Sequence, residues 1–288
     1  MVTIAAFADE ISPILEEQLE VLLDEGIHHL ELRSMWGINV LDLSDERLRQ
    51  VKDAFATAGV VVAAIGSPIG KVAIDTSFDA HVHRFERAIT VARYFGTHFI
   101  RIFSFYPAGS SSAPGTSSDS TTSRAEPAPN RDMVLHHLRE LTARARAAGV
   151  TLLHENEKGI YGDTAARCVD LLATIDDSHL EAVFDPANFI QCGQQPYPDA
   201  YDALEPWVRH VHVKDALADG SVVAAGEGIA QWPALLGRLK DANYQGYLSL
   251  EPHLAESGQF SGFSGPQRFR HASTALKSLL QALPWDFD

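Results

Sequence analysis

The sequence is short of cysteine, of basic residues and of long apolar runs, and each shortage excludes something. Its two cysteines, Cys168 and Cys192, share no CxxC-type spacing, so neither a disulfide framework nor a cysteine-rich zinc site is present. Cys168 falls inside a helical pattern and reads as a small core residue rather than a nucleophile. Lys and Arg number 23 against 38 Asp and Glu, a formal net charge of −15. That balance repels nucleic-acid phosphates, and no Lys/Arg stripe with interleaved aromatics counters it. No window approaches the roughly 18 uninterrupted apolar residues of a membrane span. The opening residues, MVTIAAFADE, lack the basic and long apolar regions of a secretory signal. The expectation is a cytoplasmic protein that binds neither nucleic acid nor membrane.

What the chain does have is material for a core. Its 288 residues are 45% hydrophobic and its 20 glycines are spread along the length, which excludes global disorder, collagen and coiled coil. Short β-branched or apolar runs alternate with longer helical patterns. Strands are expected at Thr3–Phe7, His28–Leu32, Val60–Ile65, His98–Phe103, Thr151–Glu155, Glu181–Asp185, His210–Val213 and Tyr247–Glu251. Helical periodicity lies between and after them, at Pro13–Asp24, Ser44–Ala58, Ser77–Phe95, Arg131–Ala148, Asp163–Ile175, Pro198–Glu205, Gln231–Ala242 and Pro266–Leu280. Ser12, Ser44 and Asp163 are suited to capping their helices, and Gly26, Gly59, Gly96, Gly149 and Gly246 separate helices from the strands that follow. Eight βα units in alternation imply parallel strands closed into a single-domain (β/α)₈ barrel spanning 1–288. The first strand runs into Phe7-Ala8-Asp9-Glu10 rather than GxGxxG, which disfavours an open dinucleotide-binding sheet.

One segment breaks the rhythm. Residues 104–130, rich in Ser, Thr, Pro, Ala and Gly, follow the fourth strand and are expected to form a flexible loop at the face where barrel active sites sit. A length-tolerant insertion and a lid over a substrate are both open readings of it.

The polar residues at the strand ends carry the chemistry. Glu155 closes the fifth strand, Asp185 the sixth and Glu251 the eighth, while His212 lies near the end of the seventh. Adjacent strands stand about 4.8 Å apart, so four such side chains can converge near the barrel axis. Three carboxylates and an imidazole make a hard, oxygen-rich set suited to Mn²⁺, Mg²⁺ or Co²⁺. Taken singly, each also fits an ordinary hydrogen-bonded strand-end residue.

These motifs resemble a known family. HHLELR at 28–33, LLHENEKGIYGDT at 152–164, VFDPANF at 183–189, HVHVKDA at 210–216, AGEG at 225–228 and LSLEPH at 248–253 are similar to those of the sugar phosphate isomerase/epimerase family, the xylose-isomerase-like TIM barrels. The resemblance implies one divalent metal, Mn²⁺ foremost with Mg²⁺, Co²⁺ or Zn²⁺ as alternatives, bound by Glu155, Asp185, His212 and Glu251. It implies a small sugar or keto-sugar as substrate and, from family habit, a homodimer. Members include ketose 3-epimerases, isomerases, inosose dehydratases and nucleases.

The implied chemistry is abstraction of the proton beside a carbonyl that the metal polarises, through an enediolate. Glu155 and Glu251 would act as base and acid on opposite faces of the carbon, giving an isomerase or 3-epimerase. Elimination from the same enediolate gives the alternative, a lyase of inosose-dehydratase or 3-keto-glycoside type. Lys214, His253, Lys158, Arg33 and Asn188 are the expected substrate contacts. Asn188 stands where 3-epimerases usually carry His, and no Arg follows His212 closely. Asn188 and the charge together argue against the nuclease branch. A non-catalytic sugar-binding barrel is a third reading. The amides of Gly226 and Gly228 offer a weak phosphate signal, and Asp215 is suited to orienting the turn after the seventh strand.

Overall fold

The computed structural model describes residues 1–110, 130–254 and 264–288. Eight parallel strands close a barrel: β1 Thr3–Ala6, β2 His29–Leu32, β3 Val61–Ile65, β4 Phe99–Ile102, β5 Thr151–Glu155, β6 Leu180–Phe184, β7 Val208–Val213 and β8 Tyr247–Leu250. Hydrogen bonding runs β1-β8-β7-β6-β5-β4-β3-β2 and back to β1, so every strand has two neighbours and no edge is exposed. The single-domain (β/α)₈ reading holds, and all eight strands fall within two residues of where periodicity placed them. Residues 111–129 of the expected flexible loop lie outside the described residues.

Helices fill the connections: α1 Leu15–Asp24, α2 Asp45–Ala58, α3 Phe78–Phe95, α4 Arg131–Ala148, α5 Ala165–Ile175, α6 Pro186–Gln191, α7 Tyr201–Leu204, α8 Trp232–Asp241 and α9 Pro266–Ala282. Ser44 caps α2, accepting from the Arg47 amide at 3.3 Å. Two capping expectations move by a residue or two. Thr164 rather than Asp163 accepts from the Arg167 amide, and Ser12 accepts from Ile14 ahead of α1. Asn243, with φ 53, takes the left-handed place after α8. Gly246 serves close packing instead, because a Cβ there would collide with the Arg209 carbonyl and the Tyr244 ring.

The sixth connection departs most from the sequence reading. A helix was expected over Pro198–Glu205, but the helical path begins at Pro186 and breaks around Tyr197 (φ −130, ψ 135) before α7. The early start has a local cause. Asp185 Oδ1 accepts from the Asn188 amide at 2.9 Å and Pro186 occupies the first turn, a capped start read only as a strand end in the sequence.

One large apolar core links the strands to the surrounding helices, and Phe85, Phe184, Trp232 and Phe269 are fully buried within it. Burying such an aromatic contributes about 2–3 kcal/mol, and the total anchors a rigid rim on which the strand-end side chains stand. Among the described residues no helix is long and apolar enough to cross a membrane.

Candidate metal centre

Strand periodicity puts His210, His212 and Lys214 on one face of β7, turned inward from barrel depth to mouth, with Val211 and Val213 on the other. Glu155 is the last residue of β5, while Asp185 and Glu251 are the first after β6 and β8. One ligand-type atom from each of Glu155, Asp185, His212 and Glu251 comes within 4.8 Å of all the others, and all four side chains are buried. The four sequence candidates therefore meet at one point.

His212 is the centre of that group. Its Nδ1 lies 3.2 Å from Glu155 Oε1, 3.3 Å from Glu251 Oε2 and 3.9 Å from Asp185 Oδ2. Lys214 Nζ lies 2.7 Å from Asp185 Oδ2 and 2.9 Å from Glu251 Oε2. Asn188 Nδ2 donates to Glu155 Oε1 at 3.2 Å. Asn156 closes a two-bond ring with the backbone of Asp185, at 2.9 and 3.0 Å, which ties the β5 and β6 ends together.

Three carboxylates this close repel one another; a pair 4 Å apart costs about 4 kcal/mol at an effective dielectric near 20. Basic side chains offset part of that. Burial alone would raise the Glu155 carboxyl, but His212 and Arg101 outweigh it against the push of Glu251 and bring it down to about 2. For Glu251 the burial cost is likewise overcome, by Lys214, His253 and His212, and its carboxyl is held well below the usual range. Asp185 moves the other way, up to about 6, through burial and the negative charge of Glu155 and Glu251 against Lys214. The His212 imidazole is drawn well above its ordinary value: burial opposes the proton, but Glu155, Glu31 and Glu251 together hold it. A metal and a proton would thus compete for Nδ1.

The donors fit a hard divalent cation. His212 Nδ1 is buried without a hydrogen-bond partner, and one donor atom from each of Glu155, Asp185 and Glu251 lies within 4.8 Å of one from His212. Three oxygens and one nitrogen match the preference of Mg²⁺ or Mn²⁺ over a sulfur-rich or closed structural zinc site.

The site opens into a cavity of about 340 Å³. Arg33, Asn188, Lys214 and His253 line it, as do Glu155 and Glu251. Arg33 bridges Asp9 at 2.7 Å, Glu10 at 2.6 Å and Glu251 at 3.1 Å. His253 is exposed, with Nε2 3.2 Å from Glu10 Oε1 and 3.6 Å from Glu251 Oε1. Lys158 is not brought into this group: it is exposed in the loop after β5 and does not line the cavity. Besides Lys214, Lys71 lines it, paired with Glu157 at 2.7 Å.

Two residues escaped the sequence reading. Arg101, buried on β4, reaches Glu155 Oε2 at 3.1 Å and Glu251 Oε1 at 3.5 Å, so one guanidinium spans both glutamates. Its position near the end of a strand, on the inward face, was the available signal. Glu10, fully buried after β1, gathers Arg33, His253 and Ser264 Oγ (3.0 Å), and its carboxyl falls to about 2 because these cations outweigh burial. Nothing local in FADE marks it. The phosphate signal is overturned: the Gly226 and Gly228 amides both donate to Asp215 Oδ2 at 3.0 Å, and Asp215 Oδ1 accepts from Ala216 and Ala230. A Cβ at Gly228 would collide with Asp215, so glycine serves the loop rather than an anion.

A family model of the xylose isomerase-like TIM barrel matches residues 19–279 of this sequence. The chain belongs to that family. It is 24% identical to an inosose dehydratase of Bacillus anthracis over 135 residues, 41% of this chain and 44% of that protein. The match thus spans less than half the length of this curated relative. Among solved structures, the 3-keto-D-glucoside 4-epimerase of E. coli superposes with a TM-score of 0.69 at 18% identity, covering 97% of this chain and 98% of that one. A xylose isomerase-like barrel of Mycobacterium smegmatis in complex with magnesium gives 0.70 at 18% identity, with 96% and 97% covered. At such identity the two structures show the shared barrel, not a shared substrate.

Proposed function

We propose that this xylose isomerase-like barrel is a divalent-metal-dependent enzyme that moves a proton beside the carbonyl of a small sugar or keto-sugar, as an isomerase or 3-epimerase. The observation that carries the reading is the pair Glu155 and Glu251, both buried, both held ionised, and within 4.8 Å of His212 and Asp185. A cation held by those four side chains would polarise the substrate carbonyl and steady the negative charge that develops as the adjacent C–H bond breaks. Mg²⁺ or Mn²⁺ suits the donors, and the magnesium complex of the mycobacterial barrel supports that choice.

The chain's own groups divide the remaining work. One glutamate, as carboxylate, takes the proton; inversion requires the other to have picked up a proton from water in the cavity beforehand, which it then gives to the opposite face of the carbon. The Arg101 guanidinium lies between the two carboxylates and limits how far either can swing. Lys214, 3% exposed and donating to Glu251, sits where it can donate to a substrate oxygen on which charge builds. Arg33 holds Glu251 from the other side, and Asn188 holds Glu155.

A second reading is favoured by one specific observation. The buried Lys214 ammonium is the only cationic donor within 3 Å of both Asp185 and Glu251 among the described residues. It could protonate a hydroxyl leaving from the carbon next to the enolised one, giving dehydration, the reaction named for the Bacillus relative.

Proton NMR in D₂O with Mg²⁺-loaded protein separates these outcomes across ketohexoses, ketopentoses, inosose and a 3-keto-glucoside. Deuterium entering beside the carbonyl together with a new epimer or isomer supports the proposal. An unsaturated product moves the protein to the dehydratases. Absence of exchange in every substrate overturns the enolisation reading.

A further inference from the structure

Against the candidate ligand His212 lie two further buried side chains, Glu31 and His210, that the proposed reaction leaves unused. Glu31 of β2 reaches across the barrel interior to β7, where its Oε1 stands 2.7 Å from His210 Nε2 and 3.2 Å from His212 Nε2. All three side chains are essentially without solvent exposure. Two register breaks flank the group. The β2–β3 ladder shifts between Leu30 and Glu31, and the β6–β7 ladder shifts so that Val183 pairs with His210. Breaks of this kind re-aim side chains next to functional sites. Phe7 meets the His212 ring edge-on at 5.2 Å and 84°, which fixes the ring's tilt.

We propose that Glu31, held in place by His210, is a positioning residue that keeps the proton of His212 on Nε2 and so presents Nδ1 to the metal. The proposal rests on the metal reading of Glu155, Asp185, His212 and Glu251. Its logic is that a ring nitrogen accepts a metal only through a free lone pair, and the hydrogen bond made by the other nitrogen selects which lone pair that is. With Glu31 Oε1 the acceptor within 3.2 Å of Nε2, the Nε2–H finds its partner there, and Nδ1 faces the three carboxylates. His210 Nε2 stands 2.7 Å from the same oxygen, a close polar contact that confines the Glu31 carboxylate, which the sequence alone placed on a strand with no assigned task. Glu31, His210 and His212 could instead hold an ion of their own. The metal stoichiometry of wild type and Glu31→Gln separates that outcome from the positioning role.

The test uses the full chain and two readouts. Calorimetric titration with Mg²⁺ and with Mn²⁺ gives affinity and stoichiometry, and ¹⁵N–¹H NMR of the imidazoles in metal-free and Mg²⁺-bound protein reports the His212 Nε2–H. Glu31→Met is expected to weaken metal binding by about 10–100-fold and to shift or broaden the Nε2–H resonance of His212. Glu31→Gln keeps an acceptor oxygen and is expected to fall between the two, which carries the test should Glu31→Met not fold. A merely structural role would lower Tm while leaving both the affinity and the Nε2–H signal of the folded protein unchanged, and that result overturns the proposal. So does a wild-type stoichiometry of two metals from which Glu31→Gln removes one, because Glu31 would then be a ligand. Should wild type bind no divalent metal, the metal reading fails, and the proposal fails with it in its stated form. The metal-free Nε2–H signal then still shows whether Glu31 orients His212.

Discussion

At the scale of single residues, several side chains are defined by what they balance. Glu155 and Glu251 are held ionised by neighbouring cations despite burial, so the proposed proton transfer has its base ready at neutral pH. Glu155→Gln and Glu251→Gln should each lower turnover by about 10²–10⁴-fold, and a rate near wild type with metal bound would remove that residue from acid–base work. Asp215 plays a different part. Its two oxygens accept four backbone N–H groups, from Ala216, Gly226, Gly228 and Ala230. Asp215→Ala should leave buried donors without partners and cost about 1–3 kcal/mol, measured by urea unfolding, with no requirement that metal be present.

At the scale of elements, the loop after β3 shows how one wall of the cavity is made. Gly66 and Lys71 line the cavity, and the turn between them is pinned from two sides. Gly70, at φ +80, packs so tightly on the Phe103 carbonyl that a Cβ would collide with it, and its N–H donates to His81 Nε2 at 3.0 Å. Gly70→Ala should therefore destabilise the protein by more than about 1 kcal/mol, seen as a lower urea midpoint at unchanged slope. The acceptor role of His81 requires a neutral ring. Burial, with the nearby His137 and Arg84, lowers its pKa to about 4 from 6.5. Because the folded value lies below the unfolded one, the unfolded chain binds more protons between these limits. The contribution is complete above about pH 6.5 and is lost as the pH falls through about 4, at most about 3 kcal/mol in all. Stability curves of wild type and His81→Gln should converge as the pH falls across that window; parallel curves would remove His81 as the cause.

At the scale of the whole molecule, the barrel brings four strand ends together and concentrates negative charge at its mouth. Binding of a divalent ion there should stabilise the fold through linkage. Mg²⁺ or Mn²⁺ at 100 times its dissociation constant should add about 2.7 kcal/mol, a rise in Tm of roughly 5 °C that a chelator reverses. The same rise in an Asp185→Asn, His212→Gln double variant would place the ion elsewhere.

Alternation of strand and helix was enough to specify the architecture, because a period of two against a period of 3.6 is a local property and eight repeats of it close in one way. The four candidate ligands were legible for the same reason: each stands at or within one residue of a strand's end, and parallel strands bring their ends to one face. Three things were not local. Arg101 and Glu10 join the site from β4 and the turn after β1, and only closure of the barrel brings them to Glu251 and Arg33. Lys158 lies a few residues from Glu155 in sequence, yet it points into solvent because the loop leaves the barrel axis there. The choice of which His212 nitrogen faces the carboxylates depends on Glu31, 181 residues away, which no reading of β7 alone contains. Sequence determined which residues end the strands; the tertiary structure decided which charges face each other across the barrel, because Coulomb and hydrogen-bond energies depend on distance in space and not on separation along the chain.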